Sequence, residues 1–406
     1  MSMNIPFSPP DFSDMEIAAV IDTIRSGWVT TGPKTKMFEQ KIAERCGTKC
    51  AVAVSSATAA MELTLRLLGI GSGDEVITSA YTYTASAAVI HHVGAKIVLV
   101  DTAPNAFQID IDQIGDAITK QTKAIIPVDI GGVMCDYDKL FEVVESKKHL
   151  FQPSENKYMK NFDRPVVIAD GAHSFGAVYK GKCSGAVADF TCFSFHAVKN
   201  LTTAEGGAIT WIDHAGIDPE ELYNDYMLFS LHGVNKDAML RQSDNSWEYD
   251  VCMLGYKANM TDIQASIGLV QLARYGELLK WRKDIVHRYD AALLPYGIQR
   301  LEHFGNDFEG NAHLYLMRVP GIRETDRNEL IRQIMAKGVS CNVHFKPLPM
   351  HTAYKQLGFN INDYPNAYKQ YANEISIPLY SLLRPEQVTY IIQTIKQVFE
   401  DNDIQG

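Results

Sequence analysis

Between residues 49 and 212, short apolar runs alternate with segments of helical periodicity, and this alternation constrains the fold more than any other feature of the chain. KCAVAV, DEVITS, KIVLV, KAIIPV and RPVVIAD are short and rich in β-branched side chains, as strands buried on both faces are. The intervening segments ATAAMELTLRLLG, TYTASAAVIHHVG, IDQIGDAI and YDKLFEVVESKK space their apolar residues as helices do. Strands alternating with crossover helices give an α/β fold with a mostly parallel central sheet flanked by helices. Ligands of such sheets gather beyond the carboxyl ends of the strands. Ser56, Tyr83, Asp170 and Lys199 all fall at or just after a strand end, which makes one shared site the expectation.

The remainder divides differently. Thr261-Asp262-Ile263-Gln264 has the form of a capping box and predicts a helix there, followed by a second long helix over residues 278–294. Further on, HLYLMRV reads as strand, RNELIRQIMAKG as helix and VSCNVHF as strand. A last helix opens near Pro385 and buries Val388, Ile391, Ile392, Ile395 and Phe399. The expected organisation is a large domain over residues 1–275 and a smaller C-terminal α/β domain over residues 276–406. The polar segment 145–164 interrupts the alternation and reads as a surface insertion.

Composition excludes several classes. A net charge of -10 disfavours nucleic acid and anionic membrane as partners, because both need clustered positive charge. No stretch approaches the roughly 20 apolar residues of a membrane span, and MSMNIPFSPPDFSD has no basic leader or apolar core, so the expected location is the cytoplasm. Seven scattered cysteines imply no disulfide framework, and the spacing of Cys46 and Cys50 lacks the second pair a zinc site needs. No metal is expected.

The chemistry concentrates in FSFHAVKNLTTAEGG, residues 193–207, where Lys199 stands between Ser194 and a glycine pair. An isolated lysine is ordinarily a solvated surface group, yet this setting suits an amine joined to a carbonyl cofactor, pyridoxal phosphate. That cofactor asks for an amine, an acid opposite its ring nitrogen, donors for its phosphate and a flat group against the ring. Lys199 supplies the amine, and burial helps it lose its proton. Asp170 emerges from the end of a buried strand, where it suits a pyridinium, with His173 three residues on; alone, each reads equally as a cap or a satisfied buried imidazole. Ser55-Ser56-Ala57-Thr58 leads from strand to helix, so free N–H groups and the helix dipole favour an anion there, with hydroxyls from Thr58 and Ser194. Tyr83 is the candidate stacking aromatic.

Beyond these residues, the segments SGWVTTGP, SSATAAMELTLRLLGIGSGDEVITSAYTYTAS, ADGAHSFGA, FSFHAVKNLTTAEGGA, LGYKANMTDIQASIGLVQL and VHFKPLPMH run nearly end to end. Through them the chain resembles the DegT/DnrJ/EryC1/StrS family of sugar aminotransferases, a branch of the fold-type I enzymes that use pyridoxal phosphate (PLP). The resemblance implies Lys199 as Schiff-base lysine, Asp170 as pyridinium partner, His173 near the ring, Tyr83 stacked on it, and Ala57, Thr58 and Ser194 at the phosphate. It also implies a homodimer with shared sites, in which Lys257 or Asn259 reaches the partner's phosphate. Alanine replaces the family's commoner glycine at Ala57 and Ala204, so neither is expected at φ > 0. Lysine at 199, where a dehydratase subgroup has histidine, favours transamination.

The implied reaction moves an amino group from L-glutamate to a nucleotide-linked keto-sugar, through the pyridoxamine form of the cofactor. VHFKPLPMH is similar to the C4-aminating relatives and points to C4 of a UDP-4-keto-6-deoxy hexose, N-acetylated at C2. His313, Tyr315, His344, Lys346 and His351 are the candidate substrate contacts, with a plain surface role open for each. A C3-aminating enzyme, a non-catalytic regulatory member, and a cysteine desulfurase or aldolase of the same fold type are the rivals. The last two lack FSFHAVK and GYKANMTDIQA together.

Overall fold

The computed structural model describes residues 3–235 and 247–404. Its strands are β1 Ala51–Val54, β2 Glu75–Ser79, β3 Lys96–Val100, β4 Thr122–Ile126, β5 Val166–Asp170, the short pair β6 Val178–Tyr179 and β7 Lys182–Cys183, β8 Phe190–Ser194 and β9 Gly207–Trp211, followed by β10 Gln299–Arg300, β11 Phe308–Glu309, β12 Tyr315–Arg318 and β13 Glu374–Ile377. Seven of them form the central sheet in the order β1-β9-β8-β5-β4-β2-β3, in which only β9 runs against its neighbours. Every residue of β1, β2, β5 and β9 is buried, as expected for a sheet covered on both faces. The expected crossover helices are present at Ala57–Leu67, Ala85–His92, Ile111–Ala117 and Tyr137–Ser146. Ser56, Asp110 and Asp136 cap three of them with side-chain oxygens.

Three expectations are corrected. The capping box at Thr261 is present, but it opens one continuous helix, Asp262–Leu293, of 32 residues. No proline interrupts it, and its two ends pack on different apolar clusters. Tyr275, Leu278 and Leu279 pack with Phe38, Phe175, Phe193 and Phe195, whereas Ile285, Val286, Tyr289 and Leu293 pack with Tyr315, Ile375 and Val388. VSCNVHF is not a strand. Val339 and Asn342 form isolated bridges to Ile5 and Ser376, and the next available amide, His344 N–H, donates to the Glu374 carboxyl instead of a main-chain partner. Segment 145–164 is not confined to the surface, since Phe151, Tyr158, Met159 and Phe162 join the main apolar cluster and the Tyr158 hydroxyl donates to Asp225.

The C-terminal part is an antiparallel sheet, β10-β12-β13, covered by the helices Glu324–Ala336 and Pro385–Asp401. The last of these buries Val388, Ile391, Ile395 and Phe399, with Ile392 half-buried. Arg282, in mid-helix and buried, fastens this sheet to the long helix by donating to the carbonyls of Ala312, His313 and Leu379. Those bonds set the position of the loop that carries His313. Among the described residues, no helix is long and apolar enough to cross a membrane.

Candidate active site

A cavity of about 490 Å³ opens beyond the carboxyl ends of β1, β4, β5 and β8 and is closed from the far side by His313, Leu314, Asn342, His344 and Phe345. The parallel order explains the convergence: Ser56 follows β1, Val128 follows β4, and Asp170 and Ser194 terminate β5 and β8. The N-terminal residues Phe7 and Ser8 cross to the rim.

Lys199 is half-buried on the loop after β8, and among the described residues its amino group has no hydrogen-bond partner. Burial pulls the amine down to about 8, with the Asp170 charge opposing. The amine therefore sheds its proton within reach of neutrality, as a nucleophile must. Asp170 is 5% exposed and held rigidly: Ser86 Oγ donates to Oδ2 at 2.7 Å and Ala172 N–H to Oδ1 at 3.1 Å. Burial raises its carboxyl above the usual range, and the two hydrogen bonds and Lys199 oppose this. A cationic partner in the cavity relieves that cost.

The start of the helix Ala57–Leu67 is shaped as an anion cradle. Ser56 Oγ accepts from Ala59 N–H at 3.0 Å, while the N–H groups of Ala57 and Thr58 have no partner among the described residues. β9 runs directly beneath it. A Cβ built on Gly207 would lie 2.4 Å from Ser56 C and 2.6 Å from Ala57 N, so the cradle exists only because residue 207 has no side chain. Ser194 Oγ, at the end of β8, lines the same cavity.

Three of the four imidazoles lining the cavity, those of His173, His313 and His344, complete its inner walls. Gly131 N–H donates to His173 Nδ1 at 3.1 Å, which leaves the proton of the neutral ring on Nε2. The His173 and His313 rings lie 4.4 Å apart, and Asn200 Oδ1 is 2.9 Å from His313 Nδ1. Burial holds His173 and His313 well below the ordinary imidazole range and takes His344 down to about 3, with Lys199 adding to each. The histidines are thus neutral hydrogen-bonding groups. Tyr83 is 62% exposed at the mouth, its ring 6.1 Å from that of Phe345.

The structure brings Ala57, Thr58, Tyr83, Asp170, His173, Ser194, Lys199, His313 and His344 into one cavity. It does not bring Tyr315, Lys346 or His351 there. The Tyr315 side chain is buried in the C-terminal apolar cluster with its hydroxyl on Asp290 Oδ1; Lys346 and His351 are exposed, with the His351 ring 3.2 Å from the Lys346 carbonyl oxygen. Lys257 and Asn259 bond to each other at 2.6 Å, away from the cavity of their own chain. Ala204 stands at φ +69 against expectation, while Ala57 is helical. Thr202 Oγ1, accepting from Ala204 N–H at 3.0 Å, helps hold that turn in the left-handed region.

Sequence reasoning missed Ser86, Asp129, Asn200, Asn342, Phe345 and Glu374. Asp129 lies beneath the site, its N–H donating to Asp170 O and its carboxylate accepting from Ser174, Cys135 and Tyr137; burial raises it to about 6. A hydroxyl three residues after Tyr83 was a faint signal for Ser86. The others carry none, because the contacts that place them at the site, such as Glu374 with the His344 amide and Asn200 with the His313 ring, are distant in sequence.

The amine, buried carboxylate, anion cradle and flat ring together fit PLP, and no described cluster of His, Cys, Asp or Glu fits a metal. Comparison with known proteins agrees. The model of the DegT/DnrJ/EryC1/StrS aminotransferase family matches residues 10–396. The PLP form of Spr1654 from Streptococcus pneumoniae, whose name assigns it as a candidate sugar aminotransferase, is 51% identical with a TM-score of 0.95, over 98% of this chain and 99% of that one. The spore coat polysaccharide biosynthesis protein SpsC of Bacillus subtilis is 38% identical over 98% of both. Helicobacter pylori PseC, an aminotransferase involved in pseudoaminic acid biosynthesis, is 26% identical with a TM-score of 0.84, covering 98% of this chain and 100% of that one.

Proposed function

The chain belongs to the DegT/DnrJ/EryC1/StrS aminotransferase family, and on that premise we propose that it transfers an amino group from L-glutamate to the keto carbon of a nucleotide-linked sugar. The observation that carries this reading is Lys199, an amine drawn down to about 8 and facing Asp170 across a cavity with an anion cradle. PLP, when bound, supplies the carbonyl that takes the nitrogen and the ring that stores the electron pair. The protein's own groups do the rest. Asp170, fixed by Ser86 and Ala172, holds the proton of the ring nitrogen. The N–H groups of Ala57 and Thr58, with Ser194, would hold the phosphate, and Tyr83 and His173 would border the ring. Lys199, without a hydrogen bond among the described residues, would carry a proton to and from the reacting carbon.

His313 and His344, neutral and on the far wall, contact the sugar in this reading. The sugar is a UDP-4-keto-6-deoxy hexose aminated at C4, supported by the likeness of residues 343–351 to C4-aminating relatives. The working unit is a homodimer in which Lys257 or Asn259 reaches the partner's cofactor phosphate. Supporting this, the helix Asp14–Ser26 exposes Ile17, Ile21 and Ile24 on one stripe, and Leu254 is 94% exposed. The deciding experiment incubates PLP-loaded protein with L-glutamate and either 4-keto or 3-keto UDP-sugars, and locates the new amine by mass spectrometry and NMR. Amination of the 3-keto substrate alone refutes the C4 assignment, and no amination of either refutes the proposal.

A further inference from the structure

The far wall of the cavity holds a buried chain of three groups. Glu374 and Ser376 stand two residues apart on β13, hence on one face, and both are 0% exposed. His344 Nδ1 is 2.8 Å from Ser376 Oγ, Ser376 Oγ is 2.5 Å from Glu374 Oε1, and His344 N–H donates to Glu374 Oε2 at 2.9 Å. The Tyr81 hydroxyl donates to the His344 carbonyl at 2.6 Å, and Phe7 stacks on the imidazole at 5.5 Å, so backbone and ring are both held. With Nδ1 engaged in the interior, Nε2 is the nitrogen left to the cavity.

We propose that Ser376 and Glu374 are positioning residues that fix the proton of His344 on Nε2, so that this N–H meets the cavity as a donor to an oxygen of the sugar. The inference rests on the function proposed above. Its direction follows from proton counting, since a serine hydroxyl has one proton to give. If Glu374 carries a proton, Oε1–H donates to Ser376, Ser376 donates to Nδ1, and the imidazole proton sits on Nε2. If Glu374 is ionised, each bond reverses and Nε2 becomes an acceptor.

The surroundings favour the first arrangement. Arg327, on the helix Glu324–Ala336, gives its Nη1 hydrogens to the carbonyls of Tyr371 and Glu374, and Arg318, on β12, gives Nε–H to Asn373 and Nη1–H to Gln299. Neither cation bonds to the carboxyl. The other titratable groups facing it, Tyr81, Cys341 and His344, are all kept neutral by burial. Burial lifts Glu374 itself to about 8, with Ser376, the His344 amide and Arg327 opposing. A keto oxygen can only accept a hydrogen bond, so a donor at Nε2 complements it. His173 presents Nε2–H for the analogous reason, its Nδ1 being occupied by Gly131.

The test uses the holoenzyme, Glu374→Gln and Ser376→Ala. Glutamine imitates the protonated acid, donating to Ser376 and accepting from His344 N–H. Long-range proton–nitrogen spectra of histidine-labelled protein, with the His344 signals assigned by their loss in His344→Gln, should place its proton on Nε2 at pH 7 in wild type and Glu374→Gln. Ser376→Ala should raise KM for the keto-sugar about tenfold, the size of one hydrogen bond, without slowing the glutamate half-reaction. KM should climb above about pH 8 in wild type and stay flat in Glu374→Gln. A His344 proton on Nδ1 at pH 7, an unchanged KM in Ser376→Ala, or the same pH dependence in Glu374→Gln overturns the proposal. If no keto-sugar is turned over, the function falls while the histidine spectra still decide the relay.

Discussion

Replacing Gly207 by alanine tests the anion cradle directly. The added Cβ would sit 2.4 Å from Ser56 C and 2.6 Å from both Ser56 O and Ala57 N, against an ordinary contact of 3.4 Å or more. All three atoms are main chain, so no rotamer change relieves the overlap. β9 and the helix start must separate by about 1 Å, at an overpacking cost of about 1–3 kcal/mol. The same shift pulls the Ala57 and Thr58 N–H groups off the phosphate, and hydrogen bonds to a charged group contribute about 1.5–3 kcal/mol each. Losing one of the two weakens cofactor binding roughly 10- to 100-fold. Titration of apoprotein with PLP, followed by absorbance, reads this, and thermal melting of the apoprotein reads the packing cost. Gly276→Ala is the control, because its added Cβ meets nothing within 4 Å on an exposed part of the long helix. It should leave affinity unchanged and stabilise the helix by up to about 1 kcal/mol. A Gly207→Ala protein binding the cofactor within twofold of wild type would refute the cradle.

Other consequences follow from the same geometry. Since burial draws the Lys199 amine down to about 8, its neutral fraction, and with it the rate of PLP capture by apoprotein, should rise about tenfold from pH 7 to pH 9 and then level off; a rate still climbing at pH 11 contradicts the lowered value. Asp170→Asn keeps an oxygen for Ser86 but loses the charge opposite the ring nitrogen, and turnover measured at saturating cofactor should fall about 100-fold with the melting temperature little changed. Full activity in that variant removes the ion pair from the mechanism. Ala204→Gly relieves a left-handed alanine, worth about 1–2 kcal/mol, against a gain in unfolded-chain entropy of about 0.4–1 kcal/mol. Denaturant unfolding should show a net stabilisation of about 0.5–1 kcal/mol, and a destabilised variant shows that the strain is not there.

Local pattern alone determined the layered α/β architecture, because a strand buried on both faces must be a nearly unbroken apolar run and a crossover helix must show its own period. Lys199, Asp170 and the Ser56 helix start were legible for the same reason, each being tied to a strand end within a few residues of its own sequence. Where two periodic stretches join without a breaker, pattern cannot tell one helix from two; packing on two separate apolar clusters decided that Asp262–Leu293 is continuous. Only tertiary structure settled which polar residues of the C-terminal part meet the cavity. Tyr315 and His313 lie two positions apart, yet one hydroxyl turns to Asp290 and the other ring turns to Asn200, a choice made by the docking of Arg282. Asp129 and Glu374 were invisible in the chain, and Ser86 nearly so, because a buried polar group is defined by its partner, and theirs lie as far as 84 residues away. Pairings of that range arise from folding itself, not from the local order of side chains.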